Sequence, residues 1–514
     1  MNSILQTIVN KRELDKEQGV KNFGFTIPKT RQRSITPFLP ERGVILEIKR
    51  ASPSKGDIKP DLSPRTLALA YQKAGAAAIS VLTENNYFKG SLQDIVEVAE
   101  ELDYAESFNT LSCKKPAILR KDFLTDVSEI DVSYKIGADA VLLIARILTI
   151  ENLIKMAIRC VDLGLGMLVE LRTDEDIEKY HKLIGALAKK EKGLDTLVVG
   201  TNTRDLATFA IDLLKPLTYG NRLPKKMIFE SGIHTPIAAK FAGSLGFYGM
   251  LVGEEASKNP QKAKFLVSAF LEGAVKNGLP NNEAWKKYAL MLGERTLSVN
   301  SKKSNTSLPL VKICGITNEQ DALKVAELGA NFLGFIMVKK SPRNVNKAIV
   351  TSICKKVRDK YPALKFVGVI TDPTSEEGKN AQELASKGVL DGVQFHNCAT
   401  NNQSFWYYQA IKIGSSEDIT ILENILRSGQ PRVLIDAKVD GKDGGTGVCI
   451  SEELVNLARK KMPLWLAGGI TPENVGEMIK KFSPELIDIS SGVESWPGKK
   501  DYKKLNKLFE NICH

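Results

Sequence analysis

Long apolar runs, paired cysteines and histidine clusters are what this chain lacks. No stretch approaches the roughly 18 apolar residues that cross a bilayer. The start, Met1-Asn2-Ser3-Ile4-Leu5-Gln6, has no basic segment followed by a long apolar one. Neither a membrane anchor nor a secretory signal is expected, and the chain is expected to stay in the cytoplasm. Cysteines at 113, 160, 314, 354, 398, 449 and 513 form no Cys-x-x-Cys pair, which argues against a disulfide framework and a cysteine zinc site. The few histidines (His181, His234, His396, His514) and the absence of His-Glu-x-x-His argue against a catalytic metal. The net charge is +12, but the basic residues are dispersed and no aromatic-basic cluster resembles an RNA-binding signature. No nucleic-acid partner is expected; a solvated basic surface and attraction of an anionic small molecule are the two readings of the charge.

At 514 residues the chain exceeds one core, so two or three domains are expected. Strand and helix patterns alternate. Apolar strands read at 44–48, 77–82, 116–119, 139–144, 166–170, 195–200, 226–230 and 247–252. Between them, Leu67/Ala70/Tyr71/Ala74 and Leu153/Met156/Ala157/Cys160 recur at the spacing of a buried helix face. A polar stretch follows, 276–308, with a short helix over Asn282–Glu294 and a Ser/Lys/Asn tract that has little to bury. The alternation then restarts at 310–313, 331–336, 365–370, 391–395, 407–412, 432–435, 464–467 and 486–489. Two sets of eight predict an α/β chain of two tandem (β/α)8 TIM barrels, spanning 1–275 and 309–514 with a 276–308 linker. A doubly wound sheet is the structural alternative, which the even count disfavours.

Buried parallel strands read as continuous apolar runs, so charges or a thiol at their C-terminal ends mark the catalytic rim. In the first half those ends carry Glu47, Lys49, Lys121, Glu170, Asn202, Arg204 and Glu230. Such a set can supply a proton acceptor and a donor near neutral pH; an ion-pair ring tying strands together is the bland alternative. Ser231-Gly232 and Gly253 end late strands in a way that suits a phosphate. In the second half, Cys314 ends the first strand, Arg343 follows the second, Gln394 and His396 end the fourth, and Asp436 ends the sixth. A flexible run, Gly441 to Gly447, follows, and Gly468-Gly469 with Ser490-Ser491-Gly492 forms a second phosphate-type pair. A thiol and a carboxylate across one mouth suit a proton moved within one substrate, with the thiolate stabilised by Lys312 or Arg343. An inert buried cysteine and a hydrogen-bonded core His396 are the competing readings.

The motifs Glu47-Ile48-Lys49-Arg50-Ala51-Ser52-Pro53-Ser54, Val81-Leu82-Thr83-Glu84, Tyr87-Phe88-Lys89-Gly90-Ser91, Arg120-Lys121-Asp122-Phe123 and Asn202-Thr203-Arg204-Asp205-Leu206 resemble those of indole-3-glycerol-phosphate synthases. Lys312-Ile313-Cys314-Gly315-Ile316-Thr317, Ser341-Pro342-Arg343, Val393-Gln394-Phe395-His396, Gly444-Gly445-Thr446-Gly447 and Ser490-Ser491-Gly492-Val493-Glu494 resemble phosphoribosylanthranilate isomerases. The order is similar to the bifunctional bacterial fusion of tryptophan biosynthesis.

The resemblance implies that the second half isomerises N-(5-phosphoribosyl)anthranilate by an Amadori rearrangement. There Asp436 would protonate the ring oxygen and Cys314 would take the C2 proton. Arg343 and His396 would contact substrate, and Gly469 and Ser491 would hold its phosphate. The first half would close the product to indole-3-glycerol phosphate, losing carbon dioxide and water. Lys121 would be the acid and Glu170 the base. Lys49 would meet the carboxylate, and Glu47 and Asn202 would orient the reacting groups. Ser52, Arg204, Ser231, Gly232 and Gly253 would line the substrate and phosphate side. Phosphorylated small molecules are the implied partners, with no redox cofactor, nucleotide or metal, and action as a monomer with free diffusion of the intermediate is expected.

Departures from the family pattern are extra residues near Glu100–Lys114, Thr201 in place of an aliphatic residue, Asn397 in place of a glycine, and Glu255-Ala256-Ser257 after Gly253. Two other classes compete: a different phosphosugar isomerase or aldolase on the same barrel, and a scaffold with one half degenerate.

Overall fold

A computed structural model describes residues 4–18, 25–53, 55–108, 113–204, 210–224, 226–275, 280–301, 308–398, 403–438 and 450–513. The Gly441–Gly447 run, Cys449 and the ends of the Ser54 and Asp205-Leu206 motifs lie outside these residues. The chain divides into two compact units, Met1–Asn277 and Gly278–His514.

In the first unit eight parallel strands close into a barrel: Gly43–Ile48, Ala78–Leu82, Ala117–Lys121, Ala140–Ile144, Gly166–Leu171, Leu197–Asn202, Met227–Glu230 and Gly249–Val252. Closure comes from the first strand, which pairs with both the second and the eighth. Nearly every strand residue is buried, because helices cover the outside and side chains fill the lumen. The helix Ile150–Leu163 buries Leu153, Met156, Ala157 and Cys160, the face its periodicity predicts. Pro64–Lys73 is rotated from its expected face: Ala68 and Gln72 join Leu67 and Tyr71 in the buried stripe, in place of Ala70 and Ala74. Tyr71, common to both faces, donates its hydroxyl to the Glu47 carbonyl, 3.1 Å away.

The second unit repeats the closed parallel barrel with Leu310–Cys314, Phe332–Ile336, Lys365–Ile370, Gly392–His396, Trp406–Ile413, Val433–Ala437, Trp465–Ala467 and Leu486–Ile489. The expected connector contributes a longer helix than its periodicity suggested, Pro280–Ser301. That helix packs on the floor of the second barrel, where strands begin. Trp285 is fully buried against Trp406 and Trp465, with ring centroids 5.5 and 5.9 Å apart. Tyr288 donates to Glu485 at 2.8 Å, a carboxylate that also takes Trp465 Nε1 and the fork of Arg432. Among the described residues no helix is long and apolar enough to cross a membrane.

Candidate active sites

The first mouth collects every site residue expected of it: Glu47, Lys49, Ser52, Lys121, Glu170, Asn202, Arg204, Ser231, Gly232 and Gly253 line one cavity. They arrive from different strand ends, so closure of the barrel is what brings them together. Glu47 receives Lys49 at 2.7 Å and faces Lys121 at 3.5 Å. Burial alone would push Glu47 up, but Lys49 and Lys121 outweigh it and hold the carboxylate below its usual range. Burial likewise disfavours the Lys121 cation, yet Glu47, Glu230 and Glu170 surround it and keep it protonated. Burial raises Glu170, with Lys121 and Arg172 opposing.

Glu230 belonged to the rim in the sequence, but nothing there gave it a role. Neither of its carboxylate oxygens has a hydrogen-bond partner among the described residues. Burial, with Glu170 adding repulsion, pushes it up to about 8. Its space exists because Gly200 in the adjacent strand has no side chain: a Cβ there would lie 2.0 Å from Oε1. A carboxyl that keeps its proton at neutral pH can donate as well as accept.

One side of the wall is apolar and suits an aryl ring: Phe88, Phe123, Leu142 and Ile144, with Ile4, Leu5 and Ile8 from the helix Ile4–Glu17. Glu84 shapes the Phe88 loop by accepting from the backbone N–H groups of Asn86, Tyr87 and Phe88 at 2.7–2.9 Å. Arg12 ties that first helix to Asp122, 2.8 Å away and next to Lys121 in the chain. Arg12 carried no motif, and only the fold connects it to residues more than a hundred positions away. The departure at Ser257 has a local purpose: its hydroxyl donates to the Glu47 carbonyl at 2.8 Å and accepts from the Lys49 N–H at 3.1 Å. Thr201 is fully buried in its strand. Of the extra residues, those up to Ser107 extend the helix Leu92–Ser107, and 109–112 lie outside the described residues.

The second mouth brings together Cys314, Arg343, Gln394, His396, Asp436, Gly469 and Ser491. Cys314 is 6% exposed, and Gly334 in the neighbouring strand makes room for it, since a Cβ there would meet Sγ at 2.6 Å. Burial raises the thiol, with Lys312 and Lys500 opposing. The Lys312 ammonium is itself held at 2.5 Å by Asp488 and at 2.8 Å by Gln394. Arg343 is engaged by Glu494 instead of by the thiol. Burial pushes Asp436 up to about 6, and His396 Nε2 lies 4.0 Å from its Oδ2. Asn397 has φ of +52°, which explains why a glycine suits that position and why asparagine, tolerant of left-handed backbone, can replace it.

Each mouth thus pairs proton donors with acceptors at the C-terminal rim of a closed barrel, which defines the chain as two tandem (β/α)8 enzyme domains. Residues 10–268 match the family model for indole-3-glycerol phosphate synthase, and residues 311–511 that for N-(5'-phosphoribosyl)anthranilate isomerase. The chain belongs to the indole-3-glycerol phosphate synthase family, with a phosphoribosylanthranilate isomerase domain behind it. It is 30% identical to a multifunctional tryptophan biosynthesis protein of Schizosaccharomyces pombe over 91% of this chain, and spans 59% of that protein's length. It is 28% identical to the tryptophan biosynthesis protein TrpCF of Vibrio cholerae, over 91% of this chain and 86% of that one. A solved phosphoribosylanthranilate isomerase from Thermotoga maritima is 29% identical, with 40% of this chain and 99% of that chain covered and a TM-score of 0.34.

Proposed function

We propose that the chain is a bifunctional enzyme of tryptophan biosynthesis whose second barrel isomerises N-(5-phosphoribosyl)anthranilate and whose first barrel closes the product to indole-3-glycerol phosphate. The observation that supports this best is the complementary chemistry of the mouths: a lysine among three carboxyls in one, a thiol and a raised carboxyl in the other.

In the second barrel Asp436 protonates the ribose ring oxygen, the C1–O bond opens to an iminium, and Cys314 removes the C2 proton. The resulting enolamine tautomerises to the 1-deoxyribulose ketone, so no atom is gained or lost. Arg343 meets the anthranilate carboxylate, which its planar fork suits. His396 contacts the substrate beside Asp436, and Gly469 and Ser491 hold the phosphate.

With Asp436 at about 6 and burial raising the Cys314 thiol above its ordinary value, the resting pair is carboxylate plus thiol. The reactive pair, acid plus thiolate, carries the same number of protons. Isomerase kcat/KM is therefore flat across neutral pH. It falls below about 6, where both groups hold protons and the base is lost, and again on the alkaline side once the raised thiol ionises and the acid is lost. In the free protein the reactive form is therefore a small minority, because burial holds the thiol above the carboxyl.

In the first barrel Lys121 protonates the C2 carbonyl oxygen as the aryl carbon attacks, carbon dioxide leaves, and Glu170 acts as base in the elimination of water. Lys49 meets the substrate carboxylate, and Glu47 and Asn202 orient Lys121 and the reacting groups. Glu230 adds a protonated carboxyl beside the leaving hydroxyl. Ser52, Arg204, Ser231, Gly232 and Gly253 form the phosphate side. Action as a monomer and the cytoplasm as its place of action both rest on the sequence. The domain reading places the synthase in 1–275 and the isomerase in 309–514, with the helix of the 276–308 segment serving the isomerase barrel.

The test supplies phosphoribosylanthranilate generated in situ to the purified protein. Loss of its fluorescence together with formation of indole-3-glycerol phosphate is expected, without added nucleotide. If neither occurs, the assignment fails for both barrels.

A further inference from the structure

The Ser490-Ser491-Gly492-Val493-Glu494 motif ends in a carboxylate that the reaction scheme does not use. Glu494 follows the eighth strand of the second barrel and is 6% exposed. It receives the guanidinium of Arg343 in a fork, Nη2 at 2.8 Å from Oε2 and Nε at 3.0 Å from both oxygens, across 151 positions of chain. Its Oε1 also takes the ammonium of Lys500 at 3.0 Å. Lys500 is 3% exposed and spends its other protons on the Cys314 carbonyl at 2.6 Å and the Ser490 carbonyl at 3.2 Å. One carboxylate thus joins the substrate-facing arginine to the lysine that fastens the backbone of the thiol-bearing strand end. Gly315 leaves the space, since a Cβ there would stand 2.8 Å from Arg343 Cδ and 3.3 Å from Glu494 Oε1.

We infer that Glu494, braced by Lys500, is a positioning residue that aims Arg343 at the carboxylate of the isomerase substrate. The fork occupies the Nε edge of the guanidinium, and Nη1 makes no hydrogen bond among the described residues. Fixing one edge leaves the other held toward the cavity that Arg343 lines. A guanidinium held this way loses less freedom when it binds a second carboxylate. Without Glu494, two buried cations face each other, and Arg343 turns from the cavity toward other acceptors.

The inference rests on Arg343 meeting the substrate carboxylate, so the experiment separates the two. Steady-state isomerase kinetics are measured for Glu494→Gln and Arg343→Ala in the full chain, with phosphoribosylanthranilate and with the aniline analogue that lacks the carboxylate. Circular dichroism and the thermal unfolding of the isomerase barrel in the same preparations report on folding. Glu494→Gln is expected to raise KM for the natural substrate about 10-fold or more, the scale of a hydrogen bond to a charged group. It should lower kcat much less and leave kcat/KM for the analogue within about 2-fold of wild type. If Arg343→Ala raises KM and Glu494→Gln does not, the positioning role is wrong while the arginine's role stands. Equal losses on both substrates from Glu494→Gln would make it a general structural residue and overturn the proposal. If Arg343→Ala leaves KM unchanged on both substrates, the arginine's role in binding is what fails.

Discussion

The first mouth gathers its charges around one lysine, whereas the second ties most of its charges to one another in pairs. Lys121 stands among Glu47, Glu170 and Glu230 at the rim of the first barrel. In the second, Lys312 and Asp488 form a pair one layer down, in register on adjacent strands, and the rim above them holds Cys314 and Asp436. A reaction that makes a carbon–carbon bond and expels two small molecules calls for several protonation events, and clustered ionisable groups hold one another in different states. A single proton shift within one molecule needs one acid and one base kept apart. One scaffold serves both because strand ends can be exchanged without disturbing the barrel walls.

The sharpest way to break the comparison is to remove one proton carrier from each mouth. Lys121→Ala should cut indole-3-glycerol phosphate formation by about 10²–10⁴-fold and leave isomerase rates intact; Cys314→Ala should do the reverse. Separate assays of the two half-reactions check this, and a loss of both activities from either change would show that the sites are not separate.

Next in size is the floor of the second barrel. Trp285→Ala removes a buried ring from between Trp406 and Trp465 and should cost about 3–5 kcal/mol. Thermal unfolding followed through both activities should show isomerase lost at lower temperature and synthase unchanged. Smaller still are the two glycines that make room for reactive groups. Gly200→Ala and Gly334→Ala should each cost about 1–3 kcal/mol through overpacking. Each should also displace its own neighbour, Glu230 or Cys314, so that kcat falls in one barrel only.

The remaining effect has the opposite sign. Glu230 has a folded value of about 8 against an ordinary 4.5. Between those values the unfolded chain has given up the proton that the folded one keeps, so stability declines as pH rises across that window. Glu230→Gln should therefore raise Tm at pH 8 more than at pH 5 while lowering synthase turnover. A Tm unchanged at both values would show that the carboxyl is solvated.

The barrels were legible in the sequence because a strand buried on both faces is an unbroken apolar run, and Val44 to Leu46 or Phe366 to Ile370 can be little else. The rim residues were legible because a charge interrupts such a run at its end. What stayed hidden is pairing across distance. Lys312 reads as a cation for the thiolate, but Asp488, which neutralises it, lies 176 positions on. Glu230 reads as one more rim carboxylate, and its retained proton depends on burial and on the repulsion of Glu170 from another strand, against the pull of Lys121. Arg12 bears no local signal and Glu494 reads only as the end of a motif without a role of its own, because each acts through a partner that only barrel closure delivers.

The central claim is that each mouth is a complete and separate site. It is tested most directly by mixing two inactive proteins. Lys121→Ala alone should convert phosphoribosylanthranilate only as far as the carboxyphenylamino deoxyribulose phosphate, and Cys314→Ala alone should not convert it. Together they should form indole-3-glycerol phosphate, each supplying the site the other lacks. A mixture that accumulates the intermediate without forming indole-3-glycerol phosphate would contradict the account.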